Sequence, residues 1–350
     1  MGNQTTIKDV AALAGVSVAT ASRVLSDSGY PVHPQLRQRV KEAAEKLEYA
    51  PNVIAQSLRR DASRDIALIV PNLSNPFYLQ AVLGVGEAIS ATDHNLIFCN
   101  TMHDPEREQN FLRQLYERQV KGVILSSVDT DPETIRKYVR MGMKFVFLDQ
   151  LVEGVECPGI NYDSRSGARM AVEHLLNLGH KKIAFATTSL VRFTRNEIYK
   201  GYQDALLAAG IPCDSALVFE RAISKIGRGS DYELNIGRQI AREFLAQNCP
   251  ATAIFCVNDM VAIGLIQTLV QCGTRVPEQV SVVGFDDIPI AEAYLPALTT
   301  VHYPAQEIGR LAGIMLLDSI NSDQSQTELN VRLTPKLMLR DSTTTPEKGD

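Results

Sequence analysis

The stretch Thr6–Leu25 constrains the fold of this chain most, because it has the pattern of two short helices joined by a tight turn. Apolar residues recur at helical spacing in its first part, at Ile7, Val10, Ala11 and Ala14. Thr6 is expected to cap the first helix, Gly15 to break it, and Ser17 to cap the second. Such a helix–turn–helix is typical of proteins that place the second helix in the DNA major groove. A helical hairpin inside a protein core is the alternative.

A third helix is expected from Pro34, which suits a first helical turn. Its apolar face contains Leu36, Val40, Ala43, Ala44 and Leu47. A candidate helix over 53–58 follows and is too short to be stable alone in water. Residues 1–50 are therefore expected to form an all-α DNA-binding domain, and residues 51–63 a hinge helix with a linker.

The charge of the chain is unevenly distributed. Residues 1–60 contain eight Lys and Arg against five Asp and Glu, a net charge of +3. Because the whole chain carries −5, residues 61–350 carry −8. A basic head on an acidic body attracts phosphates at one end only. A charge of +3 on 60 residues is by itself also ordinary for a folded domain.

The start of the chain has no apolar run of signal-peptide length. No stretch approaches the ~18 consecutive apolar residues that a membrane helix requires. Six cysteines are scattered without CxxC pairs, and several lie in apolar runs, which favours buried thiols over bridges or metal ligands. We therefore expect a soluble cytoplasmic protein with no metal, no cofactor and no membrane partner.

Residues 65–341 alternate β-rich runs with amphipathic segments. The expected strands are 65–70, 95–99, 122–127, 144–149, 182–186, 252–257 and 280–285. Examples of the expected helices are 78–91, 105–119, 166–178 and 260–272. This alternation predicts an α/β body of parallel sheets covered by helices on both faces. Its length favours two lobes over one domain.

Several motifs occur in the order found in one known family. They are TIKDVAALAGVSVATASRVL, VKEAAEKLEYAPNVIAQSLRR, NPF at 75–77, NLGHKKIAF at 177–185, VNDMVAIG at 257–264, RVPEQVSVVGFDDI at 275–288 and PALTTVHYP at 296–304. Across residues 5–341 the chain resembles the LacI/GalR family of transcriptional regulators. The resemblance implies a helix–turn–helix head and a body similar to periplasmic sugar-binding proteins, with two lobes joined by three crossovers.

The resemblance also implies boundaries within the body, which would span 64–341. One lobe is expected at about 64–162 plus 292–322, and the other at about 163–291 plus 323–341. Residues 342–350 are expected to form a flexible tail, and their lack of apolar heptads argues against a tetramer-forming helix.

Ligands of open parallel sheets bind beyond the carboxyl ends of the strands, and the facing ends of two lobes would form a cleft. Asn and Asp side chains there can hydrogen-bond hydroxyls, and aromatic rings can stack on a sugar or a base. By matching motifs, the family's effector contacts fall on Phe77, Tyr78, Ser126, Asp149, Asp163, Asn258 and Asp286. For each Asx residue singly, the alternative is that it caps the following helix.

One position departs from the family pattern. Many members have an Arg three residues before the Gly-aromatic pair that is Gly201-Tyr202 here, whereas this chain has Ile198. Either Arg195 replaces that Arg from a rearranged loop, or the ligand lacks the group that the Arg holds. Arg195 is therefore included among the expected effector contacts.

The function implied by the resemblance is that of a repressor whose affinity for operator DNA depends on a sugar or nucleoside-like effector. A homodimer would place two recognition helices in successive major grooves of double-stranded DNA. Arg23 suits bidentate pairing with guanine, and Leu58 would wedge into a minor-groove base step. The expected DNA contacts are Thr6, Ser17, Val18, Ala19, Thr20, Ser22, Arg23, Tyr49, Asn52, Ala55 and Leu58.

The sequence disfavours two other classes of function. An enzyme is disfavoured because no GxGxxG follows the first strand, and the chain has no Walker A sequence, GxSxG elbow or HExxH helix. A transport-type sugar receptor is disfavoured by the basic head and the lack of an export signal. Binding without catalysis is the preferred interpretation.

Overall fold

The computed structural model describes residues 5–25, 31–49, 64–221, 231–322 and 330–347. The chain divides into two compact units, Met1–Ser63 and Arg64–Asp350. Among the described residues, no helix combines the length and the apolar character needed to cross a membrane.

The first unit contains the three predicted helices. They are α1 Ile7–Ala14, α2 Val18–Leu25 and α3 Pro34–Lys46. Their buried faces form one small core of Val10, Ala11, Ala14, Ala21, Val24, Val40, Ala43 and Ala44. Val16 packs against this core from the turn between α1 and α2. The Asp9 carboxylate accepts a 2.8 Å hydrogen bond from the Thr6 N–H, which satisfies a donor at the start of α1.

In the described part of the second unit the strands form two six-stranded sheets, and the first sheet is entirely parallel. In spatial order its strands are β11 Asn330–Leu333, β5 Gly159–Tyr162, β4 Lys144–Leu148, β3 Gly122–Leu125, β1 Asp65–Val70 and β2 Asn95–Asn100. Ile66, Leu68 and Val70 belong to one apolar cluster, and Ala67 and Ile69 to another. Because alternate residues of a strand point to opposite faces, β1 is buried on both faces of the sheet.

The second sheet is parallel except at one edge, where β12 runs antiparallel to β10. In spatial order its strands are β12 Lys336–Met338, β10 Thr299–His302, β9 Ser281–Asp286, β8 Ala253–Cys256, β6 Ile183–Thr187 and β7 Val218–Glu220. The two parallel-sheet lobes confirm the predicted fold class. We call the lobe of the first sheet lobe 1 and the other lobe 2.

Helices connect these strands. They are α4 Pro76–Ile89, α5 Pro105–Glu117, α6 Pro132–Arg140, α7 Ser164–Asn177, α8 Phe193–Ala208, α9 Tyr232–Ala246, α10 Asp259–Gln271, α11 Pro289–Ala293 and α12 Ala305–Asn321, with a short 3-10 turn at Ser215–Leu217. Three of them begin with an Asx-Pro pair, at Asn75, Asp104 and Asp131. Each Asx side chain accepts a backbone N–H of the first turn, and the proline fits that turn without losing a hydrogen bond.

The structure corrects the expected lobe boundaries. Residues 299–302, expected in lobe 1, form β10, which pairs with β9 in lobe 2 (Thr299 with Val283). Residues 330–333, expected in lobe 2, form β11, which pairs with β5 in lobe 1 (Val331 with Ile160). The three crossovers therefore lie after β5, after β10 and after β11.

The structure also corrects the expectation of a flexible tail over residues 342–350, of which 342–347 are described. Ser342 is fully buried, and its hydroxyl donates to the Val282 carbonyl and accepts from the Thr299 N–H. The Thr344 carbonyl accepts a hydrogen bond from the Ser281 hydroxyl. These contacts fix residues 342–344 on lobe 2.

Helices α4 and α12 pack so closely in lobe 1 that only glycine fits at the contact. A Cβ atom added at Gly84 would lie 1.8 Å from the Gln306 carbonyl oxygen, and one at Gly309 would lie 2.0 Å from the Ala81 carbonyl oxygen. A Cβ atom at Gly86, in the same helix α4, would meet no atom within 4 Å. The two glycines of α4 therefore have different structural roles.

We predict opposite effects of alanine at these two positions. Gly84→Ala should lower the free energy of unfolding by about 1–3 kcal/mol or more, because the methyl group must push two helices apart. Gly86→Ala should raise it by about 0.5–1 kcal/mol through helix propensity. Urea unfolding followed by circular dichroism measures both, and equal effects would contradict the close packing of α4 and α12.

Candidate functional site

The first unit presents one exposed face of α2. Val18, Ala19 and Arg23 are exposed on this helix, whereas Ala21 and Val24 are buried. The predicted recognition helix therefore has its apolar residues Ala21 and Val24 in the core and Val18, Ala19 and Arg23 on the surface. Contact of these surface residues with DNA stays a prediction.

The turn before α2 is held by specific contacts. The Ser17 hydroxyl accepts the Thr20 N–H at 3.1 Å and caps α2 as expected. Gly15 adopts a left-handed backbone (φ 62°), and the Ala14 carbonyl oxygen accepts a 2.5 Å hydrogen bond from Arg39. Sequence reasoning did not single out Arg39, which satisfies a carbonyl at the end of α1.

The other predicted DNA-contacting residues of the first unit lie in several places. Thr6 is exposed at the start of α1, Ser22 is half-buried on α2, and Tyr49 packs against the helical core. Asn52, Ala55 and Leu58 lie outside the described residues, as does the whole predicted hinge over 51–63.

In the second unit, the carboxyl ends of the strands of both lobes face a common cleft. At its centre is a small cavity, which we call the central space. It is lined by Asn75, Phe77, Tyr78, Asp149, Thr194, Arg195, Ile198, Phe285, Asp286 and Tyr303. The structure therefore brings together five of the eight predicted effector contacts, namely Phe77, Tyr78, Asp149, Arg195 and Asp286.

Two further predicted residues adjoin the central space through hydrogen bonds. The Ser126 hydroxyl lies 3.5 Å from the Tyr78 hydroxyl. Asn258 caps α10 and donates to Glu233 at 2.7 Å, and the same Glu233 oxygen accepts from Arg195 at 3.4 Å. Both residues are fully buried.

Asp163 follows the helix-capping alternative instead. Its carboxylate accepts the Ser166 N–H and so caps α7, and it forms a 2.6 Å ion pair with Arg332. Asp163 does not line the central space.

Glu233 is the centre of a buried polar network that sequence reasoning missed. Its Oε1 atom accepts hydrogen bonds from Asn258, from Arg195 and, at 3.4 Å across the lobes, from Asn75. Its Oε2 atom is buried and has no hydrogen-bond partner among the described residues. A buried acceptor without a partner is costly, so this atom is suited to receive a donor from a bound molecule.

Further hydrogen bonds join the lobes across the cleft. The Arg192 guanidinium donates to the Tyr78 hydroxyl at 3.4 Å and to the Ser126 hydroxyl at 3.3 Å. The Thr194 hydroxyl donates to the Asp149 carbonyl oxygen. Arg192 directly precedes α8 of lobe 2, and Thr194 lies in the first turn of that helix. Their partners belong to lobe 1, where Tyr78 lies in α4 and Ser126 and Asp149 follow strands. The cleft is therefore closed by polar bonds that a ligand can replace.

The floor of the cleft is aromatic. The Tyr303 ring lies 4.8 Å from the Phe77 ring and 4.2 Å from the Tyr162 ring, measured between centroids. The Tyr303 hydroxyl donates to the Asp149 carboxylate at 2.9 Å. Burial, together with the Asp149 charge, raises the pKa of Tyr303 well above its usual value, which keeps the hydroxyl protonated as a donor.

The backbone is strained where it faces the cleft. Asp149, Asp286 and Asp287 have φ values of 64°, 116° and 54°. Non-glycine residues adopt this region rarely, and such strain concentrates at functional sites. The sequence pattern alone gives no signal for it.

The carboxyl group of Asp286 is electrostatically perturbed. Burial and the neighbouring Asp259 raise the pKa of Asp286 well above its usual value. The Asp259 carboxylate accepts from the Ile288 N–H at 2.9 Å and from the Thr300 hydroxyl at 2.6 Å, and so fixes the loop after β9 that carries Asp286. A carboxyl group with a raised pKa can donate as well as accept a hydrogen bond.

The cleft is thus equipped for binding polar molecules. Amide and carboxyl groups, which can hydrogen-bond hydroxyls, surround an aromatic floor, which can stack on a ring face. This combination complements sugars or nucleosides. Within the described ranges, no group of three His, Cys, Asp or Glu side chains is placed to hold a metal ion.

Comparisons with known proteins agree with both parts of the chain. Residues 6–52 match the model of bacterial regulatory proteins of the lacI family, and residues 172–343 match the periplasmic binding protein-like domain. The chain is 31% identical over 338 residues to the HTH-type transcriptional repressor PurR of Photobacterium profundum, a match that covers 96% of the chain and 98% of that relative.

Two other matches also extend over nearly the whole length. The HTH-type transcriptional regulator RegA of Clostridium saccharobutylicum is 33% identical, with 97% of this chain and 99% of RegA covered. A solved complex of the transcriptional regulator CelR with cellobiose is 30% identical with a TM-score of 0.71, covering 97% of this chain and 99% of CelR. The chain belongs to the lacI family of bacterial regulatory proteins.

Proposed function

We propose that this lacI-family regulator represses transcription as a homodimer that binds a pseudo-palindromic operator, and that an effector bound between the lobes controls its affinity for DNA. The observation that carries the proposal is that one chain combines an exposed recognition helix with a polar cleft closed by replaceable contacts. A sugar receptor would need only the cleft. A twofold dimer presents two α2 helices, which suits the two half-sites of a palindromic operator.

On this proposal, Arg23 reads a base. It is exposed on α2, and its guanidinium can pair bidentately with guanine in the major groove. Val18 and Ala19 provide apolar contacts, for example to a thymine methyl group. The hydroxyl and amide side chains contact phosphates and set the register, namely those of Thr6, Ser17, Thr20, Ser22, Tyr49 and Asn52.

Within the predicted hinge, Ala55 and Leu58 are assigned to the minor groove. A leucine wedge there would kink the duplex at a central base step. Movement of the lobes would change whether two hinge segments can pair, and this provides the route from effector to operator.

We predict that Arg23→Ala weakens binding to the selected operator by about 1–3 kcal/mol and relaxes the preference at one symmetric base pair. Arg37→Ala, in α3, is the matched control and should change affinity little and without sequence dependence. A binding-site selection followed by anisotropy titration measures both quantities. If Arg23→Ala and the parent return the same consensus, Arg23 is not the base reader.

We assign the effector to the class of sugars or nucleosides. The polar groups around the central space match ring hydroxyls, and the relatives include a regulator solved with cellobiose and a repressor named PurR. Arg192 is a better candidate than Arg195 for direct contact. The Arg195 guanidinium is already bonded to the Val257 carbonyl and to Glu233, whereas Arg192 Nε is buried without a partner among the described residues. Ile198 contributes an apolar wall to the central space.

We predict that Asp286→Asn lowers effector affinity by about 1–3 kcal/mol, because an amide has one fixed donor group and one fixed acceptor, whereas the carboxyl group can donate or accept at either oxygen. Asparagine tolerates the left-handed backbone at this position, so the fold should persist. Thermal-shift screening of sugars, nucleosides and purines identifies the ligand, and calorimetry measures its affinity. Asp318→Asn, exposed on α12, is the control. Unchanged effector affinity in Asp286→Asn would exclude this residue from the site.

A further inference from the structure

A second and much larger cavity lies between the lobes beside the central space. Its volume is about 660 Å³. One wall consists of the loops after β3 and β4 of lobe 1, and the other of the segment 191–200 of lobe 2, which begins α8. We call it the lateral cavity.

The two spaces differ in what they can hold. The central space has a volume of about 10 Å³, which is no more than one water molecule requires. A sugar ring therefore does not fit there while the lobes are closed. The lateral cavity falls within the range of roughly 300–1,000 Å³ that is typical of small-molecule sites.

Two residues connect the spaces. Arg192 lines the lateral cavity, and its guanidinium donates to the hydroxyl of Tyr78, which lines the central space. Gln150 also lines the lateral cavity, and its side chain accepts the N–H of Thr194 in the central lining at 3.5 Å. A molecule in the lateral cavity therefore adjoins the contacts that hold the lobes together.

The lining supplies both a ring face and polar groups. Phe193 is 42% exposed at the start of α8 and lines the cavity, so that an aromatic ring is accessible there. Asn196 follows on the same helix, and Gln150 lies on the opposite wall. An amide offers both donors and acceptors, which matches hydroxyl groups that also do both.

The charges of the lining disfavour an anionic molecule. Lys200 forms a 2.7 Å ion pair with Glu197, whereas Asp129 and the exposed Glu153 and Glu156 add carboxyl groups to the lining. An uncharged ligand is therefore preferred to an anion. Arg192 Nε remains as a buried donor without a partner among the described residues, and a hydroxyl or ring oxygen satisfies it.

We propose that the lateral cavity binds a neutral glycosyl unit, stacked on Phe193 and hydrogen-bonded by Asn196, Gln150 and Arg192. The effector is then a molecule of at least two linked parts, one held here and one directed to the central space. This inference rests on the proposed function, because it assigns a ligand class to the same cleft.

Disulfide tethering tests the proposal without knowledge of the effector. The exposed thiols are first removed as Cys213→Ser and Cys272→Ser. Asn196→Cys then places a thiol in the cavity wall, and Asn177→Cys, exposed at the end of α7, is the matched control. Each variant is equilibrated with the symmetric disulfide of 1-thio-β-D-glucose or of cyclohexanethiol, so that the cysteine thiolate displaces one small thiol and keeps the other as a mixed disulfide. Increasing 2-mercaptoethanol then competes for the mixed disulfide, and peptide mapping by mass spectrometry quantifies each adduct.

The glucosyl adduct at position 196 should require at least tenfold more 2-mercaptoethanol for half-removal than the one at position 177. Phe193→Ala added to Asn196→Cys should reduce this difference, because the stacking face is lost. Equal retention at both positions, or stronger retention of the cyclohexyl adduct at 196, would overturn the proposal. Val191→Cys is a second attachment point in the same wall, should Asn196→Cys fail to fold.

Operator binding separates this proposal from the proposed function. If the parent selects an operator and position 196 shows no preference, only the glycosyl site is wrong. If the parent binds no DNA sequence selectively while the adduct at 196 is retained, the cavity site stands and the proposed function is wrong.

Discussion

The pairing of β10 with β9 and of β11 with β5 determines how the second unit works. These pairings carry the chain between two sheets three times, and each crossover joins lobe 1 to lobe 2. Parallel sheets bind ligands at the carboxyl ends of their strands, and three crossovers keep two such ends facing each other. The cleft follows from this arrangement.

Beside the aromatic floor, the contacts across the cleft include several hydrogen bonds, and these suit a switch. Arg192 with Tyr78 and Thr194 with Asp149 exchange protein partners for ligand partners at small net cost, since hydrogen bonds contribute modestly to stability. An apolar interface of the same area would be stabilised by the burial of more apolar surface and would resist opening. A ligand that binds one arrangement of the lobes better shifts the population toward that arrangement.

The sequence predicted what depends on local pattern. Helical periodicity and capping residues located α1, α2 and α3, and apolar runs such as DIALIV located the central strands. The expected lobe assignments of residues 299–302 and 330–333 were wrong, because a short strand carries little local signal for which of two sheets it joins. The expected tail was wrong for a similar reason, since Ser342 is held by distant backbone groups of β9 and β10.

The candidate site shows the same limit. Asp149 and Asp163 both follow strands and look alike in sequence. One lines the central space with a left-handed backbone, and the other caps α7. Glu233 lies on a helix, so a search of residues just after strands misses it. Only the three-dimensional arrangement brings it to Asn75, Arg195 and Asn258.

The central claim is that ligand binding in the cleft and DNA binding by the head are thermodynamically linked. The most direct test measures two dissociation constants. The operator is titrated with the protein in the presence and absence of a saturating ligand from the screen, and the protein is titrated with that ligand in the presence and absence of operator. The account predicts that each changes the dissociation constant of the other by the same factor, roughly 5–150-fold for couplings of this kind. Identical operator affinity with and without a ligand that demonstrably occupies the cleft would contradict it.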